Sequence, residues 1–455
     1  MAAGTEDRST GRTIGQLADD LAAGRVTARE LVEECLDRIG DPDGQGGVAF
    51  MTVDGDGARA AADAMDMLRR AGAEPSRFAG IPISVKDLFD IRGQVTRAGS
   101  RVLEDRAPAD RDAPAVARLR AAGFVLIGRT NMTEFAYSGL GLNPHYGNPR
   151  SPWRRDEGFA SGGSTSGGAV SVADGMAHAA LGTDTGGSCR IPAAWCGITG
   201  FKPTARRIPQ GGAVPLSTTL DSVGPIGRSV ECCAALDAIL AQEEAAPLAA
   251  CDVQALRIGV VENVVNDGIE DAVAAACQAA ADRLARAGAR VERVHVTAFD
   301  RVAGMLSKGG FSAAEAYAWH RDLLAEAGDR YDPRVSVRIR RGMEQDAADF
   351  VQLIEARAAL IAEAESQLAA YDAILMPTTP ILPPALAALE QDDAHYGRIN
   401  LLALRNPTLI NMIDGCAISL PVPSDAPVGI TLAATAGRDR SLLSAARAVE
   451  DVLGG

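Results

Sequence analysis

Two glycine-framed serines and one isolated lysine carry the chemistry this chain can be expected to perform. Ser164 lies in Ser161-Gly162-Gly163-Ser164-Thr165-Ser166-Gly167-Gly168, and Ser188 closes Gly182-Thr183-Asp184-Thr185-Gly186-Gly187-Ser188. Lys86 follows an apolar run over residues 81–85, and among 45 Lys plus Arg the only lysines stand at 86, 202 and 308. Arginine cannot release its proton at any useful pH, whereas a buried lysine can do so and then serve as a base. A chain that writes nearly every cation as Arg, yet keeps Lys after an apolar run, therefore points to Ser/Lys chemistry. Taken alone, such a lysine reads first as a surface residue. The Gly186-Gly187-Ser188 backbone could present N–H groups to an anion or a developing oxyanion, although by itself the tripeptide reads first as a tight turn.

Competing motifs are missing. Neither glycine cluster is followed by the Lys of a phosphate-binding G-x-x-x-x-G-K-[ST] loop, and neither spells the dinucleotide pattern G-x-G-x-x-G. No G-x-S-x-G elbow surrounds either serine, and no histidine is close to them in sequence.

The elements that must position these residues alternate between strand and helix. Thr13-Ile14-Gly15-Gln16 and Thr27-Ala28-Arg29-Glu30 are capping boxes ahead of apolar runs, and a further helix is expected over 58–71. Strands are expected over 81–85 and 124–127, separated by a helix over 113–122. A second such unit spans a strand at 257–261, a helix at 269–287 and a strand at 291–296. Residues 303–370 read as mostly helical, strands return at 373–376, 417–420 and 428–434, and a last helix covers 439–453. This pattern predicts one α/β domain over 1–455, with a mixed, mostly parallel twisted sheet covered by helices. Within it, 1–72 would form N-terminal helices, 80–230 the core, and 303–370 a helical insertion shaping the substrate pocket.

Bulk composition narrows the function class. A net charge of −14 opposes contact with nucleic acid or anionic membrane, and no apolar stretch approaches a membrane span. The eight cysteines and five histidines show no metal-ligand spacing, so no metal is expected and the thiols read as buried and reduced. Residues 1–10 lack the apolar core of a secretion signal, and the expected location is cytoplasmic.

Several long motifs, in order, resemble the amidase signature family. They are Gly80-Ile81-Pro82-Ile83-Ser84-Val85-Lys86-Asp87, Gly128-Arg129-Thr130-Asn131-Met132-Thr133-Glu134-Phe135, the two serine clusters, and Arg190-Ile191-Pro192-Ala193-Ala194 through Gly200-Phe201-Lys202-Pro203-Thr204. A weaker likeness continues from Met376-Pro377-Thr378 to Val428-Gly429-Ile430. The resemblance implies a Ser–Ser–Lys triad, with Ser188 as nucleophile, Ser164 bridging after a cis peptide from Gly163, and Lys86 as base. It further implies an oxyanion hole from the backbone N–H groups of Thr185, Gly186, Gly187 and Ser188, and no metal or organic cofactor. A hydroxyl both donates and accepts, so Ser164 suits a proton relay. Gly162, Gly163 and Tyr137 are the pocket candidates, the last standing equally for core packing. Thr165 and Ser166 read as loop hydrogen-bond formers, Asp184 and Arg190 as an electrostatic brace, and Lys202 as structural.

The expected activity is hydrolysis of a small or medium carboxamide to the acid plus ammonia or an amine. The alternative is the glutamine-hydrolysing component of an aminoacyl-tRNA amidotransferase. Those relatives hold glutamine with an Asp ahead of a Thr-x-Pro-x-Asn-Leu-like segment, where this chain has Leu404 before Arg405-Asn406-Pro407-Thr408. Allophanate-hydrolysing relatives differ from it at Gly186, and a non-catalytic scaffold would not need the whole triad. Phe311, Tyr317, Trp319 and Tyr331 could seat an aryl amide, and Arg338, Arg341 and Arg405 a substrate carboxylate; for each, a core or surface role is the plainer alternative. A homodimer is compatible with the sequence.

Overall fold

The computed structural model describes residues 11–454; the reading of residues 1–10 lies outside them. Both capping boxes form, with Thr13 and Thr27 accepting from the backbone of Gln16 and Glu30, and they start the helices Ile14–Ala22 and Ala28–Gly40. Such caps satisfy N–H groups that an open helix end leaves free, each at about 1 kcal/mol.

Among the described residues, eleven strands build one continuous sheet: β1 (Phe50–Val53), β2 (Pro82–Lys86), β3 (Val125–Thr130), β4 (Ala179–Asp184), β5 (Thr199–Lys202), β6 (Ser222–Gly227), β7 (Arg257–Val261), β8 (Arg290–Val294), β9 (Ala373–Pro377), β10 (Cys416–Val422) and β11 (Val428–Ala434). Their order across the sheet is β1-β3-β2-β4-β6-β5-β10-β11-β9-β7-β8. The mixed α/β sheet agrees with expectation, but the predominance of parallel pairs does not. Only β3–β2–β4 and β9–β7–β8 run parallel, and every other pairing is antiparallel. The two strand–helix–strand units supply the parallel flanks, since parallel neighbours need a long crossover. The centre is joined instead by shorter, returning connections, as between β10 and β11.

β1 falls within residues 1–72 and corrects the expectation that they form helices alone, its Phe50–Val53 pairing antiparallel with β3 at the sheet edge. Nor are β4, β5 and β6 evident from the sequence. Their segments, Ala-Ala-Leu-Gly-Thr-Asp, Thr-Gly-Phe-Lys and Ser-Val-Gly-Pro-Ile-Gly, are rich in small residues and poor in the branched side chains that mark strands. All three are buried throughout, so burial in the sheet centre outweighs weak strand preference. β2 is likewise buried along its length, which carries Lys86 into the interior. Residues 303–370 are mostly helical as expected, contributing the helices Gly310–Ala327, Pro333–Arg340 and Ala347–Leu368. No described helix is long and apolar enough to cross a membrane.

Candidate active site

β2 ends on Lys86, whose side chain is 0% exposed. Its Nζ donates at 2.8 Å to Ser164 Oγ and at 2.8 Å to Thr183 Oγ1. Burial pushes the amine down to about 8, against the opposing pull of Cys189, Asp221 and Asp184. The next residue locks the strand end. The Asp87 carboxylate accepts from Arg129 Nε at 2.7 Å and from the Gly99 N–H at 3.0 Å, and both members of this ion pair are buried. The strand end that carries Lys86 is thereby fixed by a desolvated pair.

Ser164 is reached through a cis peptide from Gly163. The Gly163 N–H donates to Gly139 O at 2.9 Å, and Ser164 O accepts from the Thr133 N–H at 3.1 Å. A Cβ on Gly163 would lie 2.7 Å from Gly141 N and 2.9 Å from Thr133 Oγ1, so only glycine fits there. The second serine loop is tied to the first by Thr165 N–H donating to Ser188 O at 3.3 Å. Ser188 is 3% exposed, and its hydroxyl has no hydrogen-bond partner among the described residues. Lys86 and Ser164 are thus directly joined, while Ser188 is held against them through its backbone.

The loop carrying Ser188 wraps around the buried carboxylate of Asp184. Asp184 accepts from Arg190 Nε at 3.0 Å, Arg190 Nη2 at 2.9 Å and Asn411 Nδ2 at 3.1 Å. It also takes the N–H groups of Gly187 at 2.9 Å and Cys189 at 3.2 Å. Burial alone would raise this carboxyl, but Arg190 and the other donors hold it well below the usual carboxylate range. The expected brace is present, and it changes the expected row of four donors. Gly187 N–H is spent on Asp184, whereas the N–H groups of Thr185, Gly186 and Ser188 have no acceptor among the described residues. Gly187 adopts a φ of +119°, which suits glycine alone and turns the chain inside this cage. The helix Asp393–Met412 closes the far side, with Thr408 Oγ1 at 3.0 Å and Leu404 Cδ2 at 3.7 Å from the Cβ position of Gly186.

The remaining candidates separate cleanly. Tyr137 is buried; Arg338 donates to its carbonyl at 2.6 Å and stacks its guanidinium 4.6 Å from the ring centroid. Arg341 donates to Ser307 O, and neither Arg338 nor Arg341 has a carboxylate partner among the described residues. Arg405 is committed to Val265 O and Asp267 O and is not available as an anchor. Phe311 packs on Phe350, while Trp319 and Tyr331 pack with Phe135 and His320, and Tyr317 is half-buried beside the core. These aromatics are packing residues first. Lys202 is structural: it is buried and caps the carbonyls of Pro203 and Gly415 at 2.7 Å each. Thr165 and Ser166 are hydrogen-bond formers, as expected, donating to Thr183 O of β4 and to Asn131 O of the loop after β3. All eight cysteines are free thiols.

Two residues of the site escape sequence reasoning, Thr183 and Asp221. Thr183 reaches Lys86 because β4 lies parallel to β2 with Val85 opposite Leu181. Asp221 precedes β6 and accepts from Thr185 Oγ1 at 2.5 Å. Both line a cavity of about 280 Å³, together with Gln210, Val214 and Thr218.

A match to the Amidase family model extends over residues 30–443. The chain belongs to the amidase family. This amidase is 37% identical over 413 residues to 2-amino-5-chloromuconic acid deaminase of Comamonas testosteroni, covering 89% of the chain and 88% of that enzyme. It is 32% identical to AtzE, a component of the 1-carboxybiuret hydrolase of Pseudomonas sp. (strain ADP), covering 96% and 97%. It is 33% identical to a glutamyl-tRNA(Gln) amidotransferase component of Anaeromyxobacter dehalogenans (strain 2CP-C), covering 95% and 94%. A crystal structure of an amidase superposes with a TM-score of 0.88 at 31% identity, covering 97% of this chain and all of the other. With hydrolases among its relatives and the family model across most of its length, the amidase is an amidohydrolase acting on linear amide C–N bonds.

Proposed function

We propose that this amidase hydrolyses a small carboxamide that also bears a carboxylate, through an acyl-enzyme on Ser188. The observation that carries the chemistry is the 2.8 Å contact between the buried Lys86 amine and Ser164 Oγ, one residue from the backbone tie to Ser188. Neutral Lys86 takes the Ser164 proton as Ser164 takes that of Ser188, and Ser188 Oγ adds to the amide carbon. The free N–H groups of the 185–188 loop receive the oxyanion. The C–N bond then breaks, with the proton returned from Lys86 through Ser164 to the leaving nitrogen. Water, activated by the same relay, cleaves the ester to the acid and restores Ser188.

The carboxylate rests on Arg338, a half-buried cation without an acidic partner among the described residues, beside Tyr137. Tyr137 lies two residues before Gly139, whose carbonyl holds Gly163, and this short segment links Arg338 to the Ser164 loop. The relatives named for a muconic acid and for carboxybiuret act on carboxylated compounds, in keeping with such an anchor. Glutamine is disfavoured because Leu404, facing Gly186, is apolar where the glutamine-hydrolysing relatives place an Asp.

The test is release of ammonia or amine from aliphatic, aryl and carboxylated amides, with glutamine included, by wild type and Ser188→Ala. Release from carboxylated amides, abolished in Ser188→Ala, is the expected result. Turnover of glutamine alone would move the assignment to the amidotransferase component, and turnover by Ser188→Ala would exclude Ser188 as nucleophile.

A further inference from the structure

The carboxylate of Asp221 is an oddity of this interior. It is 8% exposed, lies at the edge of the cavity behind Thr183, and pairs with no arginine or lysine within ion-pair distance among the described residues. Its partners are instead neutral donors: Thr185 Oγ1 at 2.5 Å, Leu216 N–H at 3.0 Å and Ser217 N–H at 3.1 Å. Isolated carboxylates are costly to bury, and that cost implies that the charge has a use. The sheet explains where it stands. β4 and β6 are antiparallel with Asp184 opposite Ser222, and continuing that register by one step sets Thr185 across from Asp221. The 216–221 loop is itself anchored, since Glu315 of the helix Gly310–Ala327 accepts from Thr219 Oγ1 at 2.5 Å and from the Thr219 N–H at 3.2 Å.

We propose that Asp221 is a positioning residue for amide hydrolysis, fixing Thr185 at the head of the free N–H row while placing one negative charge in the field of Lys86. The inference rests on the proposed roles of Lys86 and the 185–188 loop. Through the Thr185 hydroxyl, Asp221 sets the plane of the first peptide of that loop, and donors act on an oxyanion only when aimed at it in advance. Through space, its charge favours protonated Lys86 and so offsets part of the burial that drives the amine neutral. The other charges facing Lys86 are each paired or weakly acidic: Asp184 is neutralised by Arg190, Asp87 by Arg129, and Cys189 is a buried thiol. Asp221 is thus the charge near the base that a substitution can remove without breaking an ion pair.

The experiment compares Asp221→Asn, Thr185→Val and Thr185→Ser for kcat, KM and the pH profile of kcat/KM. Asp221→Asn is expected to lower kcat about 10-fold or more with KM within about 3-fold, as small misplacements of catalytic groups do. It should also move the acid limb of the profile to lower pH, because Lys86 loses an anion that held its proton. Thr185→Val should lower kcat similarly and leave the limb in place, whereas Thr185→Ser, which keeps the hydroxyl, should recover most of the kcat that Thr185→Val loses. An unmoved limb in Asp221→Asn would reduce the carboxylate to a prop of the fold and overturn the proposal. So would Thr185→Ser as impaired as Thr185→Val, a comparison that stands even if Asp221→Asn fails to fold. Turnover surviving in Ser188→Ala would instead defeat the underlying chemistry, which keeps the two failures apart.

Discussion

The Lys86 amine is a base only when it has lost its proton, and burial brings that loss down to about pH 8. The rate is therefore expected to climb as pH rises through that value and to level off above it, as a kcat/KM profile would record. Lys86→Arg keeps the charge but cannot lose a proton, so it should be as inactive as Lys86→Ala, with both down about 10²–10⁴-fold or more. Substantial turnover by the Arg variant would assign the base elsewhere. That Lys86, Ser164 and Ser188 come together is anticipated by the sequence, because an isolated lysine follows an apolar run and the serine motifs are long. Thr183 and Asp221 are not, because what places them is strand register, and register joins residues that the sequence keeps far apart.

Loops and helices set how well those atoms are aimed. The Asp184–Arg190 pair, with Asn411, ties the Ser188 loop to the helix Asp393–Met412. Arg190→Met would leave a buried carboxylate unpaired, and a loss of about 3–5 kcal/mol is expected in denaturant unfolding. A stable, fully active Arg190→Met would show that the loop holds its shape without the brace. On the insertion, Arg338→Met should raise KM for carboxylated amides about 10-fold or more and spare neutral amides, since charged hydrogen bonds contribute about 1.5–3 kcal/mol. An equal rise for both substrate kinds would make Arg338 a packing residue over Tyr137. The capped helices and the strands β2, β3, β7, β8 and β9 can be read directly from periodicity, whereas β1 falls in a stretch that reads as helical. The small-residue strands β4 to β6 cannot, for burial makes them strands, and with them goes the antiparallel centre of the sheet.

Seen whole, the described residues form one eleven-stranded sheet whose edges are β1 and β8, with the site at the ends of its neighbouring strands β2, β4 and β6. The apolar clusters divide between the two flanks but meet in the helix Val230–Ala241, which gives Cys232, Leu236 and Leu240 to one and Val230, Cys233 and Ala234 to the other, so the flanks are joined by packing as well as by the sheet. Unfolding should follow one cooperative transition by fluorescence and circular dichroism together; two separated transitions would divide the flanks into domains. The scarcity of lysine reaches beyond catalysis. Lys86 and Lys202 are sealed in the core, and Lys308, exposed between the helices Val302–Met305 and Gly310–Ala327, is the one described lysine open to solvent. An amine-reactive dye therefore has a single side-chain address on the folded enzyme. That address adjoins Ser307, whose carbonyl accepts from Arg341, so one fluorophore would sit on the insertion itself.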